Sequence, residues 1–274
     1  MLGTSLMLLL ACGGCAPSDD DANEWTLVWS DEFDGAAGSA PDDANWTFDV
    51  GGDGWGNEQL EFDTDRRENA DLDGNGFLRI TAIREDFEGN TWTSARMSTQ
   101  GLQSFGMGRI EASIRLPVGR GLWPAFWSLG TDFPDVGWPS TGEIDIMEFR
   151  GEMPEQVLGS VHGPGYSGGE AVGNAYTRPE GSLATDFHVY AVEWDPRHIA
   201  WFVDDDLLGT VTPGDLPPGA PWVFDHEVFL ILNLAVGGTF LQQPDASTPG
   251  RSVMGVDYVR VFERTVPIAG RSLL

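Results

Sequence analysis

Three carboxylates stand in one short run of this chain, Glu143-Ile144-Asp145-Ile146-Met147-Glu148. Alternation with isoleucine marks a strand, so Glu143 and Asp145 share one face while Ile144 and Ile146 share the other. A strict period of two puts Met147, not Glu148, beside Asp145. One extra residue, a β-bulge, rotates Glu148 back onto the acidic face. Like charges gathered this closely push their pKa values apart, leaving one carboxyl protonated beside another that is ionised. Acid–base and nucleophilic chemistry need that division. The bland alternative is a solvated acidic edge, but the neighbours are Ile, Met and Phe149 rather than polar residues.

Spacing narrows the chemistry. At ~3.3 Å per residue, the Cα atoms of Glu143 and Glu148 stand roughly 13–16 Å apart, the lower figure with a bulge. Two Glu side chains leaning inward, each reaching about 4 Å, leave roughly 5–8 Å between the carboxyls. That range meets the ~5–5.5 Å of retaining glycosidases at one end and the wider gap of inverting ones at the other. Both stereochemical outcomes stay open on spacing alone.

The elements that must hold this strand are themselves strands. Arg109–Leu116 alternates polar and apolar residues without a break, the pattern of a half-buried strand. Phe77–Ile83, His188–Trp194, His198–Val203 and Val256–Phe262 are rich in β-branched and aromatic residues, and Glu227–Leu234 reads as a strand covered on both sides. Gly, Pro, Asp and Asn clusters separate them, and no stretch holds a helical period beyond about two turns. The pattern predicts an all-β fold, an antiparallel two-sheet sandwich of jelly-roll kind.

Composition sets the outer bounds. The chain has 274 residues with 15 basic and 43 acidic side chains, a net charge of −28, and every basic residue is Arg. Such a surface repels polyanions, which argues against nucleic acid and sulfated polymers as partners. With 41% hydrophobic residues, 11 Trp and 15 Phe, it can fill a sizeable core.

GEIDIMEF, together with SARMSTQG, GRIEASIRLPVGRGLWPAFW, HGPGYSGG, ILNLAVGG and VDYVRVFE, resembles glycoside hydrolase family 16. Within it the motifs look most like the bacterial laminarinases, which are endo-β-1,3-glucanases. The resemblance runs from about Trp25 to Glu263. It implies a jelly roll with a concave substrate cleft and a retaining mechanism, with Glu143 the nucleophile, Asp145 an assisting acid and Glu148 the general acid/base. The Met147 spacing is that of the bulged branch, and the lichenases, which lack the extra residue, are less similar. The implied substrate is a neutral β-glucan. Trp123, Trp127 and Trp138 match positions where an indole covers a sugar face. His162, Asn57, Glu58, Arg96 and Asn233 match further substrate contacts. Arg96 has a competing role as an ion-pair partner of the acidic strand. Other polysaccharide hydrolases or transglycosylases share the catalytic strand, and a non-catalytic glucan-binding protein is the alternative from another class.

No cofactor is required for this chemistry. A structural Ca²⁺ is implied by the resemblance, at Glu32, the backbone oxygen of Gly76 and Asp257, with a salt bridge as the competing use of these residues. Asp71–Gly76 imitates the start of an EF-hand loop but has Ala82 at the twelfth position and a strand after it, so that reading fails. One departure from the laminarinase pattern is Thr239-Phe240-Leu241-Gln242-Gln243-Pro244, where Trp-Pro-Gly is usual.

The chain divides into a leader over residues 1–15, an acidic tether over 16–23, the catalytic domain over 24–264 and a tail over 265–274. Leu6–Ala11 is apolar but far shorter than a membrane span. Leu9-Leu10-Ala11-Cys12 resembles a bacterial lipobox, which predicts secretion or a cell-envelope lipoprotein anchored through Cys12. Cys12 and Cys15 are the only cysteines, so the domain has no disulfide. A monomer is expected.

Overall fold

The computed structural model describes residues 25–265. The leader, Cys12, the tether and nearly all of the tail lie outside the described residues. The described strands are β1 Trp25–Asp31, β2 Thr47–Phe48, β3 Glu61–Asp63, β4 Ala70–Leu72, β5 Leu78–Ile83, β6 Trp92–Ser94, β7 Arg96–Ser98, β8 Gly108–Arg115 and β9 Leu122–Gly130. They continue with β10 Glu143–Phe149, β11 Gln156–His162, β12 Val172–Thr177, β13 His188–Asp195, β14 His198–Val203, β15 Asp206–Val211, β16 Val228–Val236 and β17 Arg251–Arg264. A ten-stranded sheet runs β15-β14-β13-β8-β17-β5-β6-β3, with β1 beside β17 and β4 beside β5. A seven-stranded sheet runs β12-β11-β10-β9-β16-β7-β2. Among the described strands only β3 and β6 pair in parallel. This is the two-sheet jelly-roll sandwich expected from the period-two pattern.

The strongly alternating segments became strands within a residue or two. The exception is β17, which starts at Arg251 rather than Val256 because its first half pairs with β5 and most of its length with β8. Among the described residues helix is confined to one turn, α1 Phe133–Val136, and two short 3₁₀ turns. Ile110, Ile114, Tyr190, Trp194, Trp201 and Val256 from the ten-stranded sheet meet Phe126, Ile144, Met147, Phe149, Leu230 and Leu232 from the seven-stranded one. Each such side chain stabilises the fold by about 1.5–3 kcal/mol through removal from water.

β16 is buried along its whole length, as its unbroken apolar run requires. Its inner face fills the core. On its outer face Phe229 and Ile231 join Leu129 in a second apolar cluster, covered by Trp127 and by Phe133 of α1. The segment before β10 thus folds over the outer face of the seven-stranded sheet, close to the acidic strand.

β10 carries the bulge. Its register against β11 and against β9 shifts after Asp145. Ile146 and Met147 are consecutive and both buried in the core, which turns Glu148 outward. The Trp201 indole N–H donates to the Asp145 carbonyl at 2.8 Å beside this irregularity. Gly159 leaves room for that indole, since a Cβ there would lie 2.4 Å from it.

Candidate active site

Strand register lays the outer face of the seven-stranded sheet out in rows. Glu143 is opposite His162 on one side and Leu129 on the other, and Asp145 lies between Ser160 and Trp127. Beyond the bulge, Glu148 pairs with Ala125, Ala125 with Asn233 and Asn233 with Arg96. One face therefore gathers all three carboxylates with Trp127, His162, Asn233 and Arg96.

Each carboxylate has its own donors. The Trp138 indole N–H donates to Glu143 Oε2 at 2.7 Å, and the Trp123 indole N–H donates to Glu148 Oε1 at 3.1 Å. Asp145 Oδ2 accepts from Ser160 Oγ at 2.5 Å and lies 2.9 Å from His162 Nε2. His162 Nε2 is 3.7 Å from Glu143 Oε1. The two outer carboxylates are thus held by separate tryptophans, with Asp145 fixed between them.

Burial pushes Glu148 up to about 8, and the charge of Asp145 adds to it; His162, the Trp123 N–H and Arg150 work the other way. Glu143 is raised well above the usual carboxylate range, by burial first and by Asp145 next, against the pull of His162. Burial opposes a charge on His162, while Asp145, Glu143 and Glu148 favour one. Carboxyls this close titrate as a set, and protons belong to the set. The state able to attack and protonate at once has Glu148 protonated and Glu143 ionised. Trp138 at Glu143, like Trp123 at Glu148, donates to the carboxylate and favours its anion.

Fold and face together match one family. The model for glycosyl hydrolases family 16 covers residues 44–245. The chain belongs to glycosyl hydrolase family 16. It is 44% identical to a beta-glucanase of Rhodothermus marinus over 279 residues, covering 96% of this chain and 95% of the relative. The endo-β-1,3-glucanase of Pyrococcus furiosus superposes with a TM-score of 0.84 at 44% identity, over 90% of this chain and 97% of that one. The laminarinase catalytic domain of Thermotoga maritima gives 0.83 at 44% identity, over 89% and 100%.

Other expected site residues of this family 16 chain divide into two groups. Trp127 donates to Asn233 Oδ1 at 2.8 Å, and Trp123 stacks on Phe240 with ring centres 4.9 Å apart. Arg96 pairs with Asp49 at 3.0 Å rather than with the acidic strand. Its guanidinium lies 4.8 Å from the Trp55 ring and 4.7 Å from Trp127. Asn57 and Glu58 are exposed on a turn. A bond from Thr239 N–H to Asn57 O ties that turn to the Gly238 corner beside Trp123.

Sequence reasoning missed Asp49, Trp55 and Ser160 as members of this surface, while Phe240 lies in the loop already marked as a departure from the laminarinase pattern. Ser160 had a readable signal, since it precedes His162 by two on one strand. The others come from loops or a strand edge, where no period points to a face. A depression of about 520 Å³, lined by Asp42, Asp43, Trp46, Phe48, Asp65 and Arg67 among others, includes none of the expected site residues.

For the expected cation set, the structure shows the competing use at Glu32. Arg260 donates to both Glu32 oxygens, at 3.0 and 2.8 Å. Asp257 accepts from Ser113 Oγ at 3.3 Å beside a register shift in β17. The Glu32 carboxylate therefore does not fit as a cation ligand in this arrangement.

Proposed function

We infer that this family 16 chain is an endo-β-1,3-glucanase that hydrolyses laminarin-like neutral β-glucans with retention of configuration. The observation that carries the reading is the bulged β10, which turns Glu143, Asp145 and Glu148 to one face while Ile144, Ile146, Met147 and Phe149 enter the core. The names of the relatives and the repulsion of anionic polymers by a charge of −28 support the choice of a neutral glucan.

In this reading the Glu143 carboxylate attacks the anomeric carbon while Glu148 gives its proton to the glycosidic oxygen. The carbon–oxygen bond breaks, and the leaving sugar departs with a new hydroxyl. Water then enters, Glu148 takes its proton, and the hydroxide displaces Glu143 from the sugar. Asp145 holds the set in register through Ser160 and His162. Trp127 and Arg96 with Trp55 offer flat faces for sugar rings, Asn233 offers a polar contact, and Asn57 and Glu58 reach the glucan from the turn. Phe240 takes part through Trp123, where the sequence departs from the laminarinase pattern.

Digestion of laminarin, with the product ladder followed in time, tests the activity. Internal cleavage to mixed oligosaccharides supports it. Tight binding without reducing-sugar release would leave a glucan-binding protein instead. A structural Ca²⁺ near Gly76 and Asp257 is a lesser proposal, since it must do without the Glu32 carboxylate or displace Arg260; a thermal midpoint equal in EGTA and in Ca²⁺ would dismiss it.

Secretion, with a lipid on Cys12, is proposed from the leader pattern. Among the described residues no helix is long and apolar enough to cross a membrane. Fatty-acid labelling lost on Cys12→Ser supports the anchor. A monomer is proposed as the acting unit, to be checked by light scattering.

A further inference from the structure

His162 is held from both sides. Its Nε2 lies 2.9 Å from Asp145 Oδ2, 3.7 Å from Glu143 Oε1 and 3.5 Å from Ser160 Oγ. On the other side of the ring, Nδ1 accepts a 3.0 Å hydrogen bond from the Gly168 backbone N–H. A ring nitrogen that accepts an N–H has its lone pair in that bond and carries no proton of its own. The proton of the imidazole must then sit on Nε2, facing Asp145.

From this geometry we infer that His162 is a neutral Nε2–H donor that positions Asp145, with its tautomer set by the Gly168 amide. Its kinetic consequence rests on the glucanase reading; the protonation state does not.

The opposing influence is electrostatic. Asp145 and Glu143 face the ring from β10, with Glu148 further along the same strand, and all three favour the imidazolium. The Trp138 ring, 6.1 Å away, contributes no charge. A second proton on Nδ1 would set two donors against each other across 3.0 Å, so the docked loop opposes the cation. Gly168 stands at φ +58, a left-handed conformation that glycine adopts without strain, and it opens the 3₁₀ turn Gly168–Glu170. The loop shape that delivers this N–H therefore depends on glycine.

Two consequences follow from a neutral ring. No imidazolium offsets the carboxylates, so the proton that relieves their repulsion resides among the carboxyls, where Glu148 needs it. Glu143, Asp145 and His162 also have ligand atoms within 4.8 Å of one another, as a metal site would. A metal-binding histidine normally donates its second N–H to an acceptor. Here the second nitrogen meets a donor, so capture of Zn²⁺ would require the Gly168 bond to break.

The test uses the full chain labelled with ¹⁵N, with the His162 signals identified by their loss in His162→Gln. The expected spectrum at neutral pH shows one protonated and one unprotonated ring nitrogen, with a through-hydrogen-bond coupling from the Gly168 amide to Nδ1. Two protonated nitrogens, or a proton on Nδ1 alone, would overturn the inference. In kinetics, His162→Gln keeps an N–H donor that never titrates. Its pH–rate profile should keep both limbs at a several-fold lower kcat. Loss of one limb would assign that limb to His162 and sink the proposal even if laminarin is still cleaved.

Discussion

Glu148 serves as an acid only while it holds its proton. Its ionisation, pushed up to about 8 by burial and Asp145, places the alkaline limb of kcat/KM on laminarin near that pH. The acid limb reports ionisation of the set that includes Glu143, also raised by burial and Asp145, so activity falls with decreasing pH above the ordinary carboxylate range. A profile flat between about pH 5 and 9 would contradict both directions. Glu148→Gln should lower kcat by roughly 10²–10⁴-fold. Trp138→Phe keeps a ring but removes the 2.7 Å donor to Glu143. Loss of a hydrogen bond to a charged group costs about 1.5–3 kcal/mol, so kcat/KM should fall roughly ten- to a hundredfold. Trp138 is 47% exposed, so the thermal midpoint should hold.

At the scale of elements, the bulge in β10 depends on what packs behind it. Gly159 on β11 leaves the space that the Trp201 indole uses to reach the Asp145 carbonyl. Gly159→Ala brings a methyl to 2.4 Å from that ring and should destabilise the protein by about 1–3 kcal/mol, read by urea unfolding, with activity falling alongside. An unchanged midpoint would show that Trp201 does not brace the bulge. This region also shows what a sequence carries. Period-two runs such as Arg109–Leu116 announce strand and face together. The bulge was legible because Met147 broke an alternation that Glu148 then had to rejoin. The Arg96–Asp49 pair was not, because Asp49 lies just beyond a two-residue strand with no period to orient it. Phe133 over Leu129, Phe229 and Ile231 was equally hidden, since only folding brings that turn onto the sheet. Asn57 and Glu58 were read from motif resemblance alone, and they sit on an exposed turn.

The whole molecule carries its acidity unevenly. Glu61 and Asp63, on one face of β3, are fully or almost fully buried, and Glu61 Oε1 and Asp63 Oδ1 have no hydrogen-bond partner. Burial lifts Glu61 to about 7 from 4.5, and Asp63 rises by burial and by the charge of Glu61. A carboxyl whose folded pKa is raised binds its proton more tightly folded than unfolded, so its ionisation costs stability as pH climbs from 4.5 toward 7. Glu61→Gln removes that ionisation. Its melting temperature relative to the native chain should improve steadily across this window and change little below it. A difference independent of pH would refute the buried-charge explanation. Much of the remaining acidity faces water, so KM for neutral laminarin should be insensitive to salt, while a sulfated glucan should bind better as salt rises.

Retention requires that Glu143 become covalently bonded to the sugar during turnover. An activated 2-deoxy-2-fluoro laminaribioside slows the second step of a retaining hydrolase and leaves the sugar on its nucleophile. Mass spectrometry of the digested protein should find one added fluorinated disaccharide, on Glu143. A label on another residue, or none while the compound is still hydrolysed, would contradict it.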